Sequence, residues 1–318
     1  MPRWAIKVAS PTGLPGKHWG DTIFAEDLAA AVRRRGISVR IARRDDWPPR
    51  LTRKDDVAIV LRGLRRVPVD PEALNILWII SHPELVTDDE LNDFDLVFAS
   101  SRSWADKTSK RINRPIGILL QATDPYRFRP ELKQMRLERD MIFVGSTRQT
   151  VRPLVKWADE SADGSLSVFG PGWEGLIAPE HHAALFLDAK DVGRRYASAR
   201  IVLNDLWPEM AESGFISNRV FDAVASGAWV ISDPVEGIDD VFGGVVSTVA
   251  TQDEFDRLLR GPTQHPSEAA RLAAADEIRK HHSFDMRVID LLCAVDASVG
   301  GVQPSQGTIR PTRRSVGR

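Results

Sequence analysis

The feature that most constrains this chain is a repeated alternation of short, continuous apolar runs with amphipathic stretches. Arg3–Ala9, Ser38–Ala42, Asp56–Leu61, Asn75–Ser81, Phe94–Ser100 and Ile116–Gln121 each read as a strand. Runs that are apolar on both faces need cover on both faces, which is the pattern of a parallel sheet sandwiched by helices. Asp21–Arg35 reads as an amphipathic helix ending at Gly36, and another helix begins near Arg102. The stretch Ala122–Leu132, ATDPYRFRPEL, then breaks the rhythm with two prolines and no apolar period, and marks a domain junction. Beyond it the alternation restarts, with strands at Asp140–Val144, Leu166–Phe169, Ile201–Asn204 and Ala228–Ile231 and helices at Val151–Ser161 and Lys190–Ala199. Helical patterns at Thr251–Leu259, Pro266–His281 and Asp285–Val295 close the fold. The expectation is an α/β chain of two halves, residues 1–122 and 123–297, each with its own parallel sheet. The cleft between the halves is the expected ligand site. Residues 298–318, rich in Gly, Ser, Pro and Arg, read as a disordered tail, solvated or in touch with anionic lipid.

Composition excludes several classes. The chain has 318 residues, 42% hydrophobic and 27% charged, which suits a soluble globular protein of one large or two ordinary domains. A formal net charge of −1 gives no electrostatic case for a nucleic-acid partner. The lone cysteine, Cys293, excludes an intramolecular disulfide and lies in an apolar helical pattern that predicts a packed core thiol. No apolar run approaches the roughly 20 residues of a membrane span, and the N-terminus enters a strand directly, so a cytoplasmic location is expected. Among nine tryptophans, Trp19, Trp47, Trp173 and Trp207 fall beside Gly or Pro in predicted loops. Such rings serve equally as sugar-stacking platforms or as core plugs.

Two stretches point to a ligand. The first βα connection, SPTGLPGKHWGD, holds three glycines and two prolines together with Lys17, His18 and Trp19. It is not GxGxxG, so the dinucleotide fingerprint is absent, but a long loop at the carboxyl end of a first strand faces the crevice where α/β proteins bind ligands. The second stretch runs from Glu212 to Asp240, a small, polar turn leading into a short helix that breaks at Ser226-Gly227. Unpaired N–H groups at that helix start suit a phosphate, Arg219 in its first turn can clamp a diphosphate, and Asp222 can accept from a ribose diol. A capped helix with a solvated Arg and a surface Asp explains the isolated stretch as well. The acidic pairs Asp45-Asp46, Asp88-Asp89 and Asp239-Asp240 lie in loops or at helix starts, so no metal site is expected. His181-His182 reads as a solvated loop.

Taken together, the residues resemble a GT-B glycosyltransferase, in particular the group-one and spore-maturation-protein-like members. Thr123-Asp124-Pro125 through Phe128-Arg129-Pro130 looks like the "G-V-D…F-x-P" junction, and Phe143-Val144-Gly145-Ser146 resembles the first donor-domain strand and its glycine turn. Val168 to Trp173 looks like a strand ending in "G-x-x-W", and Asp191 to Asn204 like the "Y-x-x-A-x-I-x-L-N" segment. Asn218 to Gly227 resembles "x-R-x-F-E-A-x-A-x-G", and His282-Ser283-Phe284 with Arg287 resembles the start of the closing helix. The resemblance covers residues 123 to 292; the N-terminal half matches in architecture and in its glycine-rich first loop only.

This resemblance implies two Rossmann-like, doubly wound domains facing across a cleft, with the closing helix packing back on the first. It implies a hexosyl-type transferase using a nucleotide-diphosphate sugar, with no further cofactor and no metal, and a glycan, lipid-linked or protein acceptor. Gly145, Ser146, Arg148, Arg152, Gly170, Trp173, Ser217, Asn218, Arg219 and Asp222 would hold the donor. His82, Asp21 and His18 would serve catalysis, and Gly16, Lys17, Trp19 and Gly20 would border the acceptor. Three positions depart from the pattern. Asp222 stands where many relatives have glutamate, Glu212-Ser213-Gly214-Phe215 holds the "E-x-F-G" parts in shifted order, and Arg148 and Arg152 replace an Arg…Lys pair. A GT-B-fold nucleotide-sugar epimerase and a non-catalytic binder of a sugar nucleotide or partner protein are the rival readings; a nicotinamide dehydrogenase ranks last.

Overall fold

The computed structural model describes residues 2–17, 19–46, 54–147, 150, 152–161, 166–261 and 264–299. The sequence-predicted tail therefore lies outside the described residues from 300 onward, and residues 298–299 belong to the closing helix.

The first sheet contains β1 (Arg3–Lys7), β2 (Ser38–Ala42), β3 (Val57–Arg62), β4 (Leu74–Ile79), β5 (Leu96–Ala99) and β6 (Gly117–Ile118) in the order β2-β1-β3-β4-β5-β6, all parallel. The second contains β7 (Arg139–Val144), β8 (Leu166–Phe169), β9 (His182–Ala184), β10 (Ala199–Asn204), β11 (Trp229–Ser232) and β12 (Val246–Thr248) in the order β12-β11-β10-β7-β8-β9, again parallel. Helices α1 (Leu14–Lys17), α2 (Gly20–Arg34), α3 (Asp88–Asn92) and α4 (Arg102–Ile112) belong to the first half. The second half adds α5 (Pro153–Glu160), α6 (Ala189–Ser198), α7 (Pro208–Glu212), α8 (Asn218–Ala225), α9 (Ile238–Phe242), α10 (Gln252–Arg260), α11 (Glu268–His281) and α12 (Phe284–Val299).

Every residue of β3 and β8 is buried, as continuous apolar runs require in a sheet covered on both faces. Several helices begin where a hydroxyl can replace the missing intrahelical partner. Ser101 accepts from Trp104 N at α4, Thr251 from Glu254 N at α10 and Ser267 from Ala270 N at α11. The edge strands β9 and β12 are absent from the sequence reading. Each has only three residues, and His182-Ala183-Ala184 and Val246-Ser247-Thr248 carry no apolar run to announce a strand.

The chain crosses between the halves twice, and the crossings touch. Thr123 bridges Ser283 in parallel, Thr123 N donates to His282 O, and Phe284 N donates to Thr123 O. Helix α12 then returns to the first half, where Phe284, Val288 and Leu291 join the core of α2 and its sheet. Its anchor is Arg287, which donates to the carbonyl oxygens of Leu120 and Gln121. That packing corrects the expectation for Cys293. The buried stripe of α12 runs through residues 284, 288 and 291, which leaves Cys293 on the outward face, exposed. A second bridge comes from the segment around α7, whose Met210 and Phe215 enter the core formed by β3, β4 and β5. Ser101 Oγ donates to Ser213 O across the same contact at 2.6 Å. Among the described residues, no helix is long and apolar enough to cross a membrane.

Candidate active site

The residues singled out by the sequence gather at two edges, the carboxyl ends of the two sheets, which approach each other where the ring of His82, after β4, meets that of Trp207, after β10. The second edge is the more tightly built. Arg219, in the first turn of α8, donates from Nη1 to Asn204 Oδ1 (2.9 Å) and from Nη2 to Val144 O (3.1 Å). Its guanidinium lies 4.9 Å from the centre of the Phe143 ring. Asn204, at the end of β10, also accepts from Ser217 Oγ and donates to Ser232 Oγ, both at 2.8 Å. One buried amide thus fixes the start of α8, the guanidinium and the end of β11 together.

The turns after β7 and β8 interlock beside this cluster. Gly145 N donates to Phe169 O at 2.8 Å, and Trp173 Nε1 donates to Gly145 O at 2.9 Å. Gly170 has φ +145°, a conformation open to glycine, and a side chain there would collide with the Gly145 carbonyl. At Gly145 itself a Cβ would stand 3.1 Å from the Arg219 guanidinium. His182 Nε2 contacts Gly170 O at 2.9 Å, and His181 is buried with Nδ1 at 2.7 Å from Asp159. Both histidines are therefore parts of the frame, which corrects their reading as a solvated loop: one ends a short turn against α5, the other begins β9.

Two donor-side residues take inward posts. Arg152, 3% exposed, forms an ion pair with Asp205 through two nitrogens and donates to Ser146 O at 2.6 Å. Burial lowers its pKa, against the raising pull of Asp205. Its charge is spent on bracing the Gly145–Ser146 turn, whereas the sequence reading gave it a diphosphate. Asp222, 7% exposed, accepts from Thr123 Oγ1 (2.8 Å) and Asn218 Nδ2 (3.2 Å). Burial holds its carboxyl well above the ordinary range despite the Thr123 bond. It faces the crossing between the halves rather than an open ribose pocket. Arg148 lies outside the described residues, as do His18 and Trp47.

Asp233, at the end of β11, was not anticipated. Its Oδ2 accepts from Leu206 N at 2.7 Å. Burial raises its carboxyl to about 6, with Asp205 adding to the rise and the Leu206 N–H, Arg152 and Arg219 opposing it. Only the position after a strand in an α/β half could have flagged it, and that signal is shared with many residues.

On the first edge, Asp21 stands in the first turn of α2, directly over Gly63 at the end of β3. A Cβ on Gly63 would lie 2.5 Å from Asp21 Oδ2, so the glycine makes room for the carboxylate. Burial raises Asp21 to about 6, opposed by the charge of His82 and by its own backbone N–H. His82 follows β4 with φ 53°, a left-handed conformation uncommon for a residue with a side chain, and its Nδ1 lies 2.9 Å from Glu84. The His82 ring is 5.8 Å from that of Trp207 in the second half. Gly16 accepts from Thr22 Oγ1 and from Trp19 N, which folds the glycine-rich loop over the start of α2. Gly20 opens that helix, and Lys17 is exposed, within electrostatic range of Asp188 across the cleft.

The structure therefore brings together Asp21 and His82 on one edge and Gly145, Ser146, Gly170, Trp173, Ser217 and Arg219 on the other. Among the described residues, no three His, Cys, Asp or Glu side chains gather as a metal site would require.

Comparison with known proteins fits this arrangement. Residues 148–293 match the family described as "Glycosyl transferase-like". The chain superposes on AviGT4, a glycosyltransferase involved in avilamycin A biosynthesis, at a TM-score of 0.59 and 16% identity over 95% of this chain and 99% of that one. Sucrose-phosphate synthase from Thermosynechococcus elongatus gives a TM-score of 0.63 at 12% identity, over 95% and 100% of the two chains. An alpha-glucosyltransferase in complex with UDP and a 13-mer DNA gives 0.59 at 11% identity, over 92% and 99%. A search of curated protein sequences found no match. At such identities the likeness speaks for architecture, and it is consistent: the molecule has the GT-B fold, and its second half is similar to the glycosyl transferase-like family.

Proposed function

We propose that this chain is a glycosyltransferase of the hexosyl type, moving a sugar from a nucleoside-diphosphate donor to a hydroxyl acceptor without a metal. The observation that carries this reading is Arg219, whose guanidinium is fixed by Asn204 and Val144 at the N-terminus of α8. A cation held in place before the ligand arrives stabilises the charge that builds on a departing diphosphate as the anomeric C–O bond breaks. The first-turn N–H groups after Ser217 and those of the Gly145–Ser146 turn supply further donors. The base is then received along the Gly170–Trp173 turn, mainly by backbone atoms.

On the facing edge, Asp21 takes the proton of the acceptor hydroxyl while its oxygen attacks the anomeric carbon; the bonding electrons leave with the diphosphate. A carboxyl titrating at about 6 is suited to that task near neutral pH. His82 stands beside it, toward the donor sugar. Gly16, Lys17, Trp19 and Gly20 border the acceptor, which is a glycan, a lipid-linked sugar or a protein. Kinship with the spore-maturation-protein-like branch rests on the same motifs, spread over residues 123 to 292.

The Asp21–His82 pair also fits a second reading, a nucleotide-sugar epimerase, which needs an acid and a base in the cleft but no acceptor. Two measurements, nucleotide binding and turnover without acceptor, test these readings. The purified protein is heated with UDP, GDP, dTDP, CMP or NAD in the absence of metal. A ligand that binds only the folded state adds about 2.7 kcal/mol at 100 times its dissociation constant. Stabilisation by one nucleoside diphosphate, lost in Arg219→Ala, is expected. A sugar product formed from the matching donor without acceptor would favour the epimerase. Silence from every nucleotide, in a folded protein, would sink both.

A further inference from the structure

We propose that Asp233 reads the sugar of the donor, its outward carboxylate oxygen accepting hydrogen bonds from the sugar hydroxyls beyond the diphosphate. The inference rests on the donor site described above and extends it to a residue outside the motifs that point there.

Placement is the first argument. Along the second edge the strands run β11-β10-β7-β8. The interlocked turns after β7 and β8 receive the nucleoside, and Arg219 with the start of α8 sits over β10. A donor laid across these ends in one direction carries its sugar to the end of β11, where Asp233 stands. Three strand intervals separate β8 from β11, about 14 Å at the usual spacing, which suits an extended nucleotide sugar. Asp233 also holds Leu206 N, and Leu206 leads directly to Trp207, whose ring meets His82 on the facing half. It therefore lies on the part of the edge nearest the acceptor domain.

Charge is the second argument. Arg152 is neutralised by Asp205, so among the described residues the cluster holds two guanidinium groups, of Arg152 and Arg219, against two carboxyls, of Asp205 and Asp233. A carboxylate here opposes a bare diphosphate. A neutral donor of hydrogen bonds suits it, and sugar hydroxyls bind carboxylates through charge-assisted bonds. Asp233 is partly exposed, and among the described residues its Oδ1 accepts no hydrogen bond. The arrangement favours the sugar-bearing nucleotide over the nucleoside diphosphate that remains after transfer, and so assists product release.

The test is calorimetric titration at pH 7.5 of the wild type, Asp233→Asn and Asp233→Ala. The probes are UDP, GDP and dTDP and their glucose, galactose, mannose and N-acetylglucosamine conjugates. For the preferred base, the wild type is expected to bind its best conjugate more tightly than the bare diphosphate. In both variants the bare diphosphate binds as well or better, and the ratio of the two affinities falls about tenfold or more, the scale of one hydrogen bond to a charged group. Asp233→Asn keeps an acceptor for Leu206 N and guards against a simple folding defect. A ratio unchanged in both variants, or a wild type that prefers the bare diphosphate, overturns the role of Asp233 while leaving the donor site standing. A wild type that binds no nucleotide overturns the donor site and this inference together.

Discussion

The two sheets share one plan, six parallel strands with carboxyl ends at the cleft, yet they furnish those ends differently. On the second edge, Asn204 alone engages Ser217, Arg219 and Ser232, and the Gly145 and Gly170 turns lock through backbone bonds. On the first edge, Asp21 rests over a glycine, His82 sits in a left-handed conformation, and Leu14, Leu64 and Leu85 near the strand ends are exposed. A diphosphate is the same object in every nucleotide sugar, so its site can be rigid and saturated. In the proposed reading the acceptor is the variable partner, and the first edge keeps exposed apolar side chains where it would bind. The family match, residues 148–293, falls wholly in the second half.

If binding belongs to the second edge and proton transfer to the first, Asp21→Asn separates them. Transfer is expected to slow by about 10²- to 10⁴-fold, the usual worth of a positioned base. Affinity for the nucleoside diphosphate should stay at the wild-type value. The wild-type rate should climb as pH rises through about 6, where Asp21 loses its proton, and the variant should lack that limb. Kinetics and calorimetry on the same preparation check this; affinity falling in step with rate would erase the contrast between the edges.

Each half also braces its turns with one buried ion pair. Arg152–Asp205 holds Ser146 O, and Arg62–Glu90 holds the carbonyl oxygens of Gly63 and Leu85, beside Asp21 and His82. Removing one partner of such a pair strands a buried charge, so Arg152→Ala should cost about 3–5 kcal/mol of stability in urea unfolding. If the variant instead unfolds like the wild type but loses nucleotide affinity, Arg152 is a phosphate ligand after all and the second edge is more basic than its ion pair implies.

The alternation of apolar runs was enough to announce two parallel sheets, because parallel strands buried on both faces must be continuously apolar. It was not enough for β9 and β12, whose edge positions need little burial. The place of Arg219 was legible: the sequence puts it in the first turn of a helix after a Gly/Ser turn, and there Asn204 and Val144 hold it. Arg152 and Asp222 read the same way in sequence, and only the fold shows Asp205 and Thr123 already beside them. Spacing along the chain cannot report a partner 53 or 99 residues distant. Asp233 gave no signal for the converse reason: an aspartate before a proline is ordinary loop chemistry.

If Asp21 is kept for chemistry rather than stability, it leaves a signature that breaks the symmetry between the edges in a smaller measurement. Folded Asp21 titrates at about 6 against an ordinary 3.8, so between those values the native state holds a proton that the unfolded chain has released. Its contribution to stability is present below about pH 4 and is lost as pH rises through about 6. Asp233, also at about 6, acts with the same sign, while His282, lowered to about 4 from 6.5, acts against them and makes stability rise over that interval. The wild-type profile mixes these, but the difference between wild type and Asp21→Asn isolates one. At pH 8 the variant should be the more stable by about 1–3 kcal/mol, since an amide needs no hydration of a charge. At pH 4 a neutral carboxyl and an amide are nearly equivalent, and the difference should vanish. Urea midpoints at the two pH values measure it directly. A variant less stable at both would mean that Asp21 is a structural cap of α2, and the first edge would then need another base.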